Sequence, residues 1–122
     1  MKILVIDDEK GVGDLFTNLI SKEKHKLTYI SNGKDALKIL ENEHFNIVFC
    51  DIIMPILSGV KILEKIKSSS PKTKVIMMTG KMLDGDLINE IIKNKADGCL
   101  KKPFEINEVL KIIKEAEKNN SH

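Results

Sequence analysis

The chain has 122 residues, enough for one domain with its own core, and its 42% hydrophobic and 31% charged residues are the balance of an ordinary globular protein. No apolar run approaches the roughly 18 residues of a membrane-spanning helix. The net charge of +2 is carried by 20 Lys with no Arg, which excludes arginine-finger chemistry and bidentate guanine reading, so no direct nucleic-acid or membrane binding is expected.

The opening MKILVIDD reaches charge too soon for a signal-peptide core and predicts a cytoplasmic protein. KILVI (2–6) is a continuous apolar run of strand length, as in a parallel sheet covered on both faces, and it runs straight into Asp7, Asp8 and Glu9. Adjacent carboxylates repel, so a compensating cation is expected beside them. After Gly11 and Gly13, the spacing of Leu15, Phe16, Leu19 and Ile20 predicts a helix. KLTYI (26–30) reads as a weaker strand nearer an edge, followed by Asn32 as N-cap of a helix carrying Ala36, Leu37, Ile39 and Leu40. NIVFC (46–50) is a second buried strand and ends at Asp51; Val60, Leu63 and Ile66 form a helix after Ser58-Gly59, and SSSP (68–71) is a loop.

KVIMM (74–78) is a third buried strand and ends in Thr79-Gly80. Leu87, Ile88, Ile91 and Ile92 make a helical stripe behind Asp84 or Asp86 as cap. The short strand GCLK (98–101) then leads to Lys102-Pro103 and a last helix bearing Ile106, Val109, Leu110, Ile113 and Ala116. Cys50 and Cys99 have no ligand spacing and are expected as small buried thiols. His25, His44 and His122 are expected on the surface, and Met54, Met77, Met78 and Met82 in packing roles.

Five strands alternating with five helices predict a single α/β domain over 1–122, a parallel sheet with helices on both faces. In such sheets ligands bind beyond the carboxyl ends of the strands, near the reversal of strand order. Those ends here carry Asp7, Asp8, Asp51, Thr79 and Lys102. Alone, Asp7 and Asp8 would serve equally to favour a helix N-terminus; together with the others they suit phosphoryl chemistry. Carboxylates bind Mg2+, an ammonium and a hydroxyl hold phosphate oxygens, and a central carboxylate can act as nucleophile.

VIDDE, DIIMP, MTG and LKKPF, in this order and spacing, resemble the response-regulator receiver domain of two-component signalling over essentially the whole chain. The resemblance implies a flavodoxin-like (βα)5 fold with strand order 2-1-3-4-5. It implies a phosphorylation-dependent switch rather than an enzyme, in which Asp51 accepts a phosphoryl group from a sensor histidine kinase or phosphotransfer protein. It further implies Mg2+ held by Asp8, Asp51 and the backbone carbonyl of Ile53, with Asp7 acting through water or as part of the acidic pocket. Thr79 and Lys102 would contact the phosphoryl group, Lys101 would point to solvent, and the bond before Pro103 would be cis. Output would pass through the face of the fourth helix, fifth strand and fifth helix, where Lys93, Lys95, Lys101 and Glu108 are candidates. Many receivers dimerise when phosphorylated, although no motif here commits to that.

One departure stands out: the family's switch aromatic, three residues before the Lys of KPF, is Cys99 here, which puts aromatic toggling in doubt. Ile53 and Lys81 would flank the phosphoryl group and set its lifetime, the apolar Ile53 tending to exclude water. Three other readings compete. A haloacid-dehalogenase-type phosphatase would need an acid where Ile53 stands. A flavodoxin would need more aromatics than Tyr29 to hold its ring, and an unphosphorylated scaffold would have lost part of the acidic set.

Overall fold

The computed structural model describes residues 1–20, 24–80 and 85–120. The elements run β1 (Lys2–Ile6), α1 (Lys10–Ile20), β2 (Lys26–Ile30), α2 (Gly33–Asn42), β3 (Ile47–Asp51), α3 (Gly59–Ser69), β4 (Lys74–Thr79), α4 (Gly85–Lys93), β5 (Gly98–Lys101) and α5 (Ile106–Asn120). All strand pairings are parallel, and the order is β2-β1-β3-β4-β5, the flavodoxin-like topology expected.

The strand sequences explain their places. β3 is buried throughout, and β1 and β4 at all but their first residue, because helices cover both faces. β2 and β5 are only partly covered, as edge strands are. Side chains alternate between two cores. Leu4, Ile6, Val48, Cys50, Val75 and Met77 pack with Ala36 of α2, Ile62 and Leu63 of α3 and Ile91 of α4. Ile3, Val5, Phe49, Ile76 and Met78 pack on the other face with Phe16 of α1 and Val109 and Ile113 of α5. Among the described residues no helix is long and apolar enough to cross a membrane.

Helix starts follow their caps where a cap exists. Asn32 accepts the Asp35 N–H (2.8 Å), and Ser58 accepts the Val60 N–H (3.2 Å). Two starts differ from the sequence reading. α1 begins at Lys10 and holds both Gly11 and Gly13 within it. α4 begins at Gly85, so Asp86 lies inside the first turn rather than at the cap, and Asp84 lies outside the described residues.

Three side chains also differ. Cys50 is buried as expected, but Cys99 is exposed, since β5 is an edge strand with little above it. His25 is not a surface residue. Its imidazole is largely enclosed, between the Met1 backbone nitrogen (3.1 Å from Nδ1) and Glu117 Oε1 (2.9 Å from Nε2), at the end of the sheet opposite the acidic edge. Met82 and His122 lie outside the described residues.

Candidate functional site

The topology brings β1 and β3 side by side at the sheet centre, with α1 and α3 leaving on opposite faces. Strand order reverses there, which opens a crevice beyond the strand ends. Backbone bonds fix the depth of each end. Asp7 N–H donates to Ile30 O (3.2 Å), Ile52 N–H to Met78 O (3.0 Å), and Lys102 N–H to Thr79 O (2.6 Å). Asp7, Asp51, Thr79 and Lys102 thus leave four adjoining strands at one level.

Their side chains converge. Lys102 Nζ lies 2.6 Å from Asp7 Oδ2, 3.0 Å from Glu9 Oε1 and 3.4 Å from Asp51 Oδ2. Carboxylate oxygens of Asp7, Asp8 and Asp51 all lie within 4.8 Å of one another. Asp7 is wholly buried and Asp51 nearly so, whereas Asp8 faces solvent. Asp8, Asp51, Ile53, Thr79 and Lys102 line one cavity. Lys101 points to solvent, and the Lys102-Pro103 bond is cis, both as the resemblance implies. Lys81 lies outside the described residues.

One ammonium therefore pairs with three carboxylates, with Asp8 a fourth acid close by, and the acids register the imbalance. Burial, then the charge of Asp7, pushes Asp51 up from 3.8 to about 6, against the pull of Lys102. Burial also raises Asp7, although the Lys102 ammonium and the Glu9 N–H (2.8 Å to Oδ1) oppose it. For Lys102, burial favours the neutral amine, but the hydrogen bonds to Asp7 and Glu9 outweigh it and the net shift is upward. Asp7 Oδ2 is buried, and its close partner is the Lys102 ammonium at 2.6 Å. Three carboxylates clustered within reach of one another, with negative charge in excess of the one ammonium, are what a divalent cation such as Mg2+ fits.

The loop after Asp51 is tightly drawn. Asp51 Oδ1 accepts the Ile53 N–H (3.4 Å), and Gly59 lets α3 start against the Asp51 carbonyl, where any Cβ would overlap that oxygen. Between them, Leu57 N–H donates to Pro55 O (2.8 Å) around Ile56, which has φ of 73° and is fully exposed. A β-branched residue is strained in this left-handed region and gains no packing here. Ile56→Gly is expected to raise stability by about 1 kcal/mol, or about 4 °C in thermal melting, despite glycine's entropy. A lower melting temperature in the variant would contradict the strain.

Two residues at the site were not among those singled out from sequence. Glu9 is a third partner of Lys102; its place in the acidic run was the available signal. Tyr29 donates its hydroxyl to the Asp7 carbonyl (2.7 Å), a contact between separate elements with no local signature.

The family model for the response regulator receiver domain matches residues 3–114. Sporulation initiation phosphotransferase F of Bacillus subtilis (strain 168) is 32% identical over 115 residues, covering 93% of this chain and 90% of that protein. Transcriptional regulatory protein DltR of Streptococcus agalactiae serotype III (strain NEM316) is 28% identical over 114 residues, and the chain spans 50% of its length. The solved structure of a CheY-like response regulator receiver domain protein from Methanospirillum hungatei JF-1 superimposes with a TM-score of 0.89 at 28% identity, covering 98% of both chains. With the acidic pocket at the matching strand ends, these likenesses settle the lineage: the chain belongs to the response regulator receiver domain family, the phosphoryl-accepting switches of two-component systems.

Proposed function

We propose that this receiver accepts a phosphoryl group on Asp51 from a phosphohistidine of a sensor histidine kinase or phosphotransfer protein, with Mg2+ as cofactor, and so alters its partner-binding face. The observation that carries the reading is the meeting of Asp7, Asp8, Asp51 and Lys102 at one point beyond three strand ends. In the step itself, an Asp51 carboxylate oxygen forms a bond to phosphorus as the phosphorus–nitrogen bond to the donor imidazole breaks. The electron pair of that bond returns to the imidazole, and an acyl phosphate is left on Asp51.

The chain's own groups divide the work. Asp51 must be ionised to attack, and its upward shift to about 6 reflects how strongly the metal-free pocket disfavours that charge. Asp8, exposed at the rim, suits a direct ligand role, with Asp51 and the Ile53 carbonyl; buried Asp7 suits one through water. A bound divalent cation supplies the charge that keeps these acids ionised and neutralises phosphoryl oxygens. Lys102 would exchange carboxylate partners for the phosphoryl group, and the Thr79 hydroxyl would donate to it. With exposed Cys99 in place of an aromatic, the signal would pass through Thr79 and Lys102 to α4, β5 and α5 without a ring moving inward. Phosphorylation-dependent dimerisation through that face is one form the output could take.

Intact mass measurement after incubation with acetyl phosphate tests the reading. One added phosphoryl group, requiring both Mg2+ and Asp51, is expected in the wild type and none in Asp51→Asn. No adduct in the wild type, even with a phosphohistidine donor, would instead favour a scaffold that works unphosphorylated. Ile53, half exposed over the cavity, bears on lifetime. Ile53→Asn is expected to shorten the phosphoform about three- to tenfold, the effect of about 1 kcal/mol on the barrier to water attack. An unchanged or longer lifetime would rule that role out.

A further inference from the structure

We propose that Tyr29 is a positioning residue for the acidic pocket: its hydroxyl, seated over Gly13, fixes the Asp7–Asp8 peptide and thereby the aim of both carboxylates. The inference deepens the cation-dependent reading above and rests on it. The β1–β2 ladder ends with Asp7 N–H donating to Ile30 O (3.2 Å), after which β2 turns away into the α2 cap. The Asp7 carbonyl lies one step beyond, and the Tyr29 hydroxyl donates to it at 2.7 Å.

That carbonyl and the Asp8 N–H belong to one rigid plane. Holding the plane on both sides of Asp7 sets the directions in which Asp7 turns inward and Asp8 outward. Metal ligands need such support, since small misplacements weaken a site of several converging oxygens.

Gly13 supplies the second half of the observation. A glycine inside a helix is unfavourable against alanine, yet α1 carries one here. A Cβ at this position would lie 2.7–2.8 Å from three carbons of the Tyr29 ring, so α1 gives up a side chain to let the ring lie against it. The Thr17 hydroxyl donates to the Gly13 carbonyl (2.9 Å) and steadies that turn.

Tyr29→Phe keeps the ring on Gly13 and removes one hydroxyl. Calorimetric Mg2+ titration is expected to show affinity about three- to tenfold weaker, the share of one neutral hydrogen bond. Phosphorylation by acetyl phosphate should slow by the same factor at limiting Mg2+ and recover at saturating Mg2+, a split that general loss of stability does not produce. The Asp8 amide resonance should move in the metal-free variant. Gly13→Ala, which displaces the ring, should weaken Mg2+ at least as much. Wild-type Mg2+ affinity in Tyr29→Phe overturns the inference, whatever its melting temperature; so does loss in Gly13→Ala alone, which would assign the effect to packing. If the wild type binds Mg2+ and is phosphorylated while Tyr29→Phe matches it, only this inference falls. If the wild type does neither, the reading of the pocket falls first and this one with it.

Discussion

Asp51→Asn is expected to make the metal-free protein more stable at neutral pH, by on the order of 3 kcal/mol, with the gain vanishing by about pH 4. Asp51 is nearly buried, and its folded-state value is about 6 against 3.8 for an ordinary aspartate. Between those values the folded protein keeps a proton that the unfolded chain has released. Stability of the wild type is therefore full below 3.8, declines as pH rises through the window, and levels off above about 6. The window is roughly two pH units wide, and about 1.4 kcal/mol for each gives the magnitude. Asparagine has no charge to bury and removes the window. Chemical denaturation of both proteins across pH, in chelator, checks this. A wild-type-to-variant difference that stays constant with pH would mean Asp51 titrates as an ordinary carboxylate, and that the pocket stores no repulsion for a cation to relieve.

Such a trade, stability given up where charge is concentrated, is how a functional site stands out against a consistent background. It also explains what was legible in the sequence. The apolar runs at KILVI, NIVFC and KVIMM have one sensible home, a doubly covered parallel sheet, and all three are strands within a residue of their expected limits. Once the sheet is parallel, all strand ends point one way, so Asp7, Asp51, Thr79 and Lys102 must share an edge.

Contacts between elements were harder to read. The α1 boundary was misplaced because Gly11 and Gly13 look like a turn; Gly13 makes sense inside a helix only when the Tyr29 ring is seen against it. The exposure of Cys99 depends on how little covers β5, and the enclosure of His25 on Glu117, far away along the chain. Glu9 was visible as a charge, but its hold on Lys102 requires knowing which way α1 begins.

Lys102→Met is expected to have the largest effect in the opposite direction. Methionine keeps much of the lysine stem, so packing near Gly80 changes little, but the ammonium is lost. Among the described residues no other cation forms an ion pair with Asp7 or Asp51. Removing one partner from a buried ionic cluster leaves the remaining charges uncompensated and typically costs about 3 kcal/mol or more. In chelator at neutral pH the variant should therefore melt about 10 °C lower than the wild type. Two features separate this cause from loss of packing. The deficit should shrink toward acid pH, where Asp51 and Asp7 take up protons. Added Mg2+ should also stabilise the variant more than the wild type, because the cation no longer competes with the ammonium for the same carboxylates and supplies the missing charge. On the proposed reading, phosphoryl transfer to Asp51 and its consequences can then come apart: the variant retains the proposed nucleophile and metal ligands but lacks the ammonium that would contact the phosphoryl oxygens. A Lys102→Met protein as stable as the wild type in chelator at neutral pH would show that the ammonium does not compensate the acids.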